Sequence, residues 1–221
     1  MALTLIFLYG AARELGVCGK GAVLLLCGAP GLLQFTHLLV TDNALMAGVM
    51  IAVHGFVLMP RRPGWGGFWL GAGAGMAFLS KGLIGPGFLV LPVLFFPAFF
   101  REGRTRRFVI FLAVAAVSAL PWFVSWPVRL YLSDAELFNA WFWVQNIDRF
   151  IGEHTAGPDP KPIWFFPGKL LWFAFPAWLY AIAGLFRLPP RGDRARIFIP
   201  VLVTVSILIT LSVARTGREI Y

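Results

Sequence analysis

Polar residues in this chain punctuate long apolar runs, and those runs set the predicted elements. They predict a partial span at about residues 2 to 12, then spans near 21 to 40, 43 to 59, 66 to 80, 83 to 100, 108 to 126, 170 to 186 and 197 to 213. Most approach the roughly 20 residues, at about 1.5 Å each, that carry a helix across a bilayer. The expected fold is all-α: a polytopic transmembrane helical bundle of about seven to eight spans. One sizeable outer loop interrupts it, residues 127 to 169, with a short amphipathic helix inside.

Composition supports the lipid setting. Hydrophobic residues make up 59% of the chain and charged ones 13%, with a mean hydropathy of +0.78, which excludes an ordinary soluble core. The 22 Phe and 9 Trp suit aromatic belts at membrane interfaces, and the 24 Gly suit close helix packing. Gly71 and Gly75, in LGAGAGM, form a small-xxx-small face for such packing. Cys18 and Cys27 lack the spacing and context of a disulfide framework or a metal site.

Charge assigns the sides. Loops 13 to 20, 60 to 65, 101 to 107 and 187 to 196 hold twelve of the nineteen bases against three of the ten acids. The remaining segments are balanced, so the whole net charge of +9 lies on one side, and the positive-inside rule makes that side cytoplasmic. A pI near 10.4 therefore reflects topology, not a nucleic-acid partner.

The outer side holds the candidate chemistry. Asp42, in TDNALM, lies between two spans with almost no loop; an ionisable group at that depth is costly unless paired or facing water. The bland alternative is a turn and helix N-cap built from Thr41, Asp42 and Asn43. Lys81, in FLSKGLIGPGF, suits an anionic headgroup or a phosphate, with a snorkelling lysine as its alternative. Neither this turn nor GVCGKG has nucleotide-loop spacing. In the 127 to 169 segment, Ser133 and Glu136 form a capping box, predicting a helix from about 134 to 146 with Phe138, Trp141 and Phe142 on its apolar side. The proline-broken, aromatic segment reads either as a roof over a substrate cleft or as a solvated loop. His37, His54 and His154 are scattered and make no metal-ligand set; His154, in the outer loop, is the one to test.

Taken in order, TDNALM, FLSKGLIGPGFLVLP, ALPWF, WFWVQNIDRFIG, PIWFFPGKLLWFAFPAW and SVARTGREIY resemble the GT-C superfamily of bacterial membrane glycosyltransferases. The nearest likeness is to aminoarabinose lipid A transferase-like and protein mannosyltransferase-like enzymes (glycosyltransferase family 39-like). The resemblance implies a polyprenyl-phosphate-linked sugar as donor and a lipid, glycan or protein as acceptor. It also implies an active site on the non-cytoplasmic face of a bacterial inner membrane, embedded among membrane lipids. A divalent metal occurs in some relatives; no cofactor is assigned here. Asp42 resembles the family's second acidic motif, near the catalytic centre. Lys81 resembles the lysine of its TKG-like turn and Arg149 the arginine of its RF element, both associated with the donor phosphate or acceptor; Asp148 and His154 flank them as substrate-site candidates. Tyr221 resembles the tyrosine of a SKLPxYxLP-like stretch, where the match loosens because Arg215 or Arg218 replaces the usual basic position.

A polyprenyl-phosphate sugar already has a good leaving group, so the chemistry asks for a carboxylate at the acceptor and cations at the departing phosphate. The family's first outer loop, which bears its principal acid, is expected upstream of Met1. Residues 1 to 221 are thus expected to be part of one transmembrane transferase domain, a piece inactive by itself. Two other classes stay open. A transporter would show repeats and ionisable groups within spans, and a non-catalytic truncated membrane protein would lack turnover.

Overall fold

The computed structural model describes residues 1–35, 41–148, 151, 162, 164–186 and 194–213, and all regular structure among them is helical. In chain order these are α1 (Ala2–Glu14), α2 (Gly19–Cys27), α3 (Pro30–Phe35), α4 (Asp42–Leu58), α5 (Pro63–Lys81) and α6 (Ile84–Phe99). A 3-10 turn (Arg101–Arg104) leads to α7 (Arg106–Ser133), α8 (Ala135–Asn139), a π-helical stretch (Ala140–Asp148), α9 (Phe165–Phe173), α10 (Ala177–Phe186) and α11 (Arg194–Val213).

The all-α expectation holds for these residues; helix length alone does not reach the expected span count. Among the described residues, α7 is the one helix long and apolar enough to cross a membrane unaided, and α9 with the start of α10 qualifies as a pair bent by 101°. Helix α4, helix α6 and residues 198–213 are apolar but shorter. By length and composition, one to two spans qualify among the described residues where seven to eight were expected. The expected run 21 to 40 is broken: α2 ends at Gly28, and α3 opens on Pro30, whose missing N–H costs nothing at a helix start. Residues 36–40 lie outside the described residues. The expected run 170 to 186 bends between α9 and α10. Helix α7 runs through Pro121, passes residue 126 and continues through Pro127 to Ser133; membrane helices tolerate such prolines where neighbours re-satisfy the backbone.

The stretch expected to be helical from about 134 to 146 is helical, with a different cap. Ser133 is still in α7, and Asp134, in an extended conformation, accepts from the N–H groups of Glu136 at 2.8 Å and Leu137 at 3.0 Å. The short aspartate side chain ends one helix and starts the next in a single residue.

Helix α5 is the hinge of the packing. Along its contact with antiparallel α4, a methyl group on Gly48 would lie 2.7 Å from the Ala77 nitrogen, and one on Gly55 would lie 2.5 Å from the Gly66 oxygen. Any side chain there would push the backbones apart. Its other face carries Gly67, Gly71 and Gly75 against Phe111, Ala115 and Trp122 of parallel α7. The small-residue face expected at Gly71 and Gly75 is therefore a helix contact. Ser118 donates across it to the Phe68 carbonyl at 2.9 Å. Where lipid removes the hydrophobic drive between helices, such close backbone approach supplies the van der Waals attraction.

The two ends of the bundle differ in composition. At one end the basic loops meet: Arg61 pairs with Glu14 at 3.5 Å, Arg107 donates to the Pro60 carbonyl at 3.0 Å, and Phe100 lies against Phe198, with ring centroids 5.9 Å apart. Beneath them the rings of Phe56, Phe96, Phe108 and Phe111 pack at centroid distances of 5.0 to 5.8 Å. The other end is filled by a smaller cluster of Leu45, Ala77, Phe88, Phe166 and Leu211.

Candidate functional site

The second end holds Asp42 and Lys81. The antiparallel contact of α4 and α5 places the first residue of α4 beside the last residue of α5, and the carboxylate Oδ1 lies 3.0 Å from the Lys81 ammonium. Both side chains are largely shielded, 20% and 17% exposed. The approach lies off the axis of a directed hydrogen bond, so charge holds the pair. Each charge also sits at the helix end whose macrodipole favours it, the acid at an N-terminus and the base at a C-terminus. Asp42 is not the helix cap: Thr41 occupies that position, without a side-chain cap bond.

The turn after Lys81 is shaped for a partner. Gly82 has φ of +62°, a conformation that L side chains avoid, and its N–H closes α5 by donating to the Phe78 carbonyl at 2.7 Å. The next N–H, of Leu83, donates at 2.8 Å to Oδ1 of Asn146, in the π-helical stretch. Asn146 Nδ2 in turn donates to the Trp141 carbonyl at 2.8 Å. A methyl on Gly82 would collide with Asn146 Oδ1. Trp141 sets its edge against Phe78 at 5.9 Å, and Phe78 stacks on Phe123 of α7 at 4.4 Å. Segment 135–148 therefore returns from the end of α7 onto the Lys81 turn.

The far side of the outer region docks at the same end. Phe166 of α9 is buried with Leu45, one turn from Asp42, and Ala77, one turn from Lys81. Lys169 lies 5.6 and 5.7 Å from the ring centroids of Phe165 and Phe173. Asp148 is half-buried two residues beyond Asn146. Of the expected site residues, Asp42 and Lys81 are thus in contact and Asp148 lies two residues from the amide that reaches the Lys81 turn. Arg149, His154 and Tyr221 lie outside the described residues. Asn146 carried no signal in the sequence: it is an ordinary polar residue in an aromatic helix, and its partner is 63 residues away.

Among the described residues, no three His, Cys, Asp or Glu side chains come together as a metal-ligand set. His54 is packed against Phe7 at 5.4 Å, far along α4 from Asp42. A cleft of about 450 Å³ lies at the basic end, lined by Tyr9, Arg13, Cys18 and Lys20 among others, remote from the Asp42 pair.

What this arrangement offers is a shielded ammonium beside a carboxylate counter-ion, under a helical cover fixed by one amide. Residues 1–126 match the family model described as dolichyl-phosphate-mannose-protein mannosyltransferase. The chain is 28% identical over 154 residues to the undecaprenyl phosphate-alpha-4-amino-4-deoxy-L-arabinose arabinosyl transferase of Yersinia pestis (strain Pestoides F), covering 69% of this chain and 27% of that protein. It is 28% identical over 130 residues to the Pectobacterium carotovorum (strain PC1) protein of the same name, covering 58% and 22%. The chain thus spans about a quarter of the length of these curated relatives. No solved structure matches it. With more than half of its residues inside the family match, the glycine-packed bundle bearing Asp42 and Lys81 belongs to the dolichyl-phosphate-mannose-protein mannosyltransferase family.

Proposed function

We propose that this chain carries the phosphate-handling end of a glycosyltransferase that moves a sugar from a polyprenyl-phosphate donor to a lipid, glycan or protein acceptor. The observation that supports it most is the 3.0 Å pair of Asp42 and Lys81 at the end of the bundle opposite the basic loops. An ammonium paired with a carboxylate can exchange that partner for the singly charged phosphodiester of the donor, and it holds the phosphate more strongly as the leaving group gains a second charge. The exchange frees Asp42 for the acceptor. Asp42 then takes the proton of the acceptor hydroxyl or amine, whose oxygen or nitrogen attacks the anomeric carbon. The carbon–oxygen bond to phosphate breaks, and its electron pair leaves on the polyprenyl phosphate, neutralised by Lys81.

In this proposal Arg149, Asp148, His154 and Tyr221 contribute to donor and acceptor binding. Helices α1, α2 with α3, α4, α5, α6 and α11 join α7 and the bent pair α9–α10 in a bundle of seven to eight spans, and residues 127 to 169 form its cover. The excess of basic residues at the other end supports a cytoplasmic position for that end and a periplasmic one for the site.

The test is transfer from a synthetic polyprenyl-phosphate sugar in membranes containing the intact protein. Lys81→Ala is expected to raise the donor KM by roughly 10- to 100-fold, the worth of a hydrogen bond to a charged group, while Lys81→Arg keeps most of the donor affinity. An unchanged donor KM in Lys81→Ala would overturn the phosphate role.

A further inference from the structure

Lys81 is the last residue of α5, so the direction of its side chain depends on how the following turn is held. That turn is a glycine at positive φ followed by a backbone N–H that no helix satisfies; the N–H is met by one side-chain oxygen, Asn146 Oδ1, at 2.8 Å. Asn146 is itself anchored by its amide nitrogen on the Trp141 carbonyl at 2.8 Å. Its two hydrogen bonds therefore join separate parts of the molecule, the helical cover and the phosphate-facing turn. The absence of a Cβ at residue 82 is what lets the amide come this close. The bond also sits where helix geometry widens to the π form, an irregularity that often accompanies functional sites.

We infer that Asn146 is a positioning residue: through the Leu83 N–H it fixes the Lys81 turn in the donor-binding geometry and couples closure of segment 135–148 to phosphate capture. This rests on the proposed role of Lys81. Asn146 need not touch the substrate. An aspartate at this position would keep the acceptor for Leu83 and lose the donor for Trp141, setting a carboxylate oxygen against a carbonyl; alanine would lose both.

The decisive experiment is a double-mutant cycle in membranes containing the intact protein, with donor KM, acceptor KM and kcat measured separately. Asn146→Ala is expected to raise the donor KM about tenfold and leave the acceptor KM within about twofold, as loss of this hydrogen-bonded link to the Lys81 turn would. Asn146→Asp should fall between Ala and the parent. In a Lys81→Ala background, Asn146→Ala is expected to change donor KM by less than about twofold, because the two residues act on one contact. Multiplicative effects of the two substitutions would overturn the coupling, as would equal losses on donor and acceptor. If Lys81→Ala alone leaves donor KM unchanged, the phosphate role of Lys81 falls, and the cycle reports that failure separately. If Asn146→Ala fails to accumulate, the same cycle with Asn146→Asp decides the coupling by the same criteria.

Discussion

The two ends of this bundle are built from the same helices and are held by different forces. At the basic end, four phenylalanine rings interlock and several arginines are engaged by protein oxygens. Arg104 donates to the carbonyls of Pro97 and Ala98 at 2.7 and 2.9 Å, and Arg107 to that of Pro60. These are carbonyls at helix C-termini that lack partners within the helix. At the Asp42 end the apolar cluster is smaller, and the ties that close it include an ion pair and a side-chain amide. Ring packing cannot be traded for a ligand, whereas a carboxylate on an ammonium can. The proposed function therefore uses the end whose contacts are able to change partners, with the interlocked end serving as its foundation.

Three changes would break or sharpen that contrast. Gly55→Leu should do the most damage: it inserts a side chain where α4 and α5 backbones touch, and the protein is expected to lose folded accumulation in the membrane, measured by protease resistance and yield, by more than the about 1–3 kcal/mol typical of overpacking. Normal accumulation would show that the glycine contact does not organise both ends. Asp42→Asn comes next. It removes the charge and keeps the shape, so transfer is expected to fall by roughly 10²-fold with yield and thermal stability close to the parent; a fast Asp42→Asn enzyme would reduce the pair to a structural tie. Arg104→Ala should be the mildest, costing about 1–2 kcal/mol of stability through two lost charge-assisted hydrogen bonds, with transfer per folded molecule unchanged. A loss of transfer there would mean that the basic end is part of the working site.

Much of this architecture is legible in the order of residues alone. Apolar runs locate α4, α5, α6 and α11 to within a few residues, because a helix in lipid must hide its backbone and expose apolar side chains over its whole length. The charge pattern separates the two ends, and Asp42 and Lys81 fall on the same one. Other features are hidden from the apolar pattern. The break after Cys27, at Gly28 and Pro30, and the bend between α9 and α10, at Pro176, have local signals that the surrounding apolar runs conceal, whereas α7 passes Pro127 without breaking. The cap moves from Ser133 to Asp134 because α7 outlasts its expected end. Asn146 is invisible because its meaning lies in a backbone N–H on another helix turn.

The length of α7 carries a last consequence. At about 1.5 Å per residue its 28 residues measure about 42 Å, some 12 Å more than the roughly 30 Å hydrocarbon layer. Standing upright, the helix would leave about eight residues, Trp126 to Ser133, in the headgroup zone or above it. Trp126 and Tyr131 are exposed there, where amphipathic rings belong. With α7 upright, segment 135–148 begins at the top of that mast and must fold back down along it to reach Leu83. Held so, it straddles the boundary between oil and water, with one flank against lipid and the other against solvent.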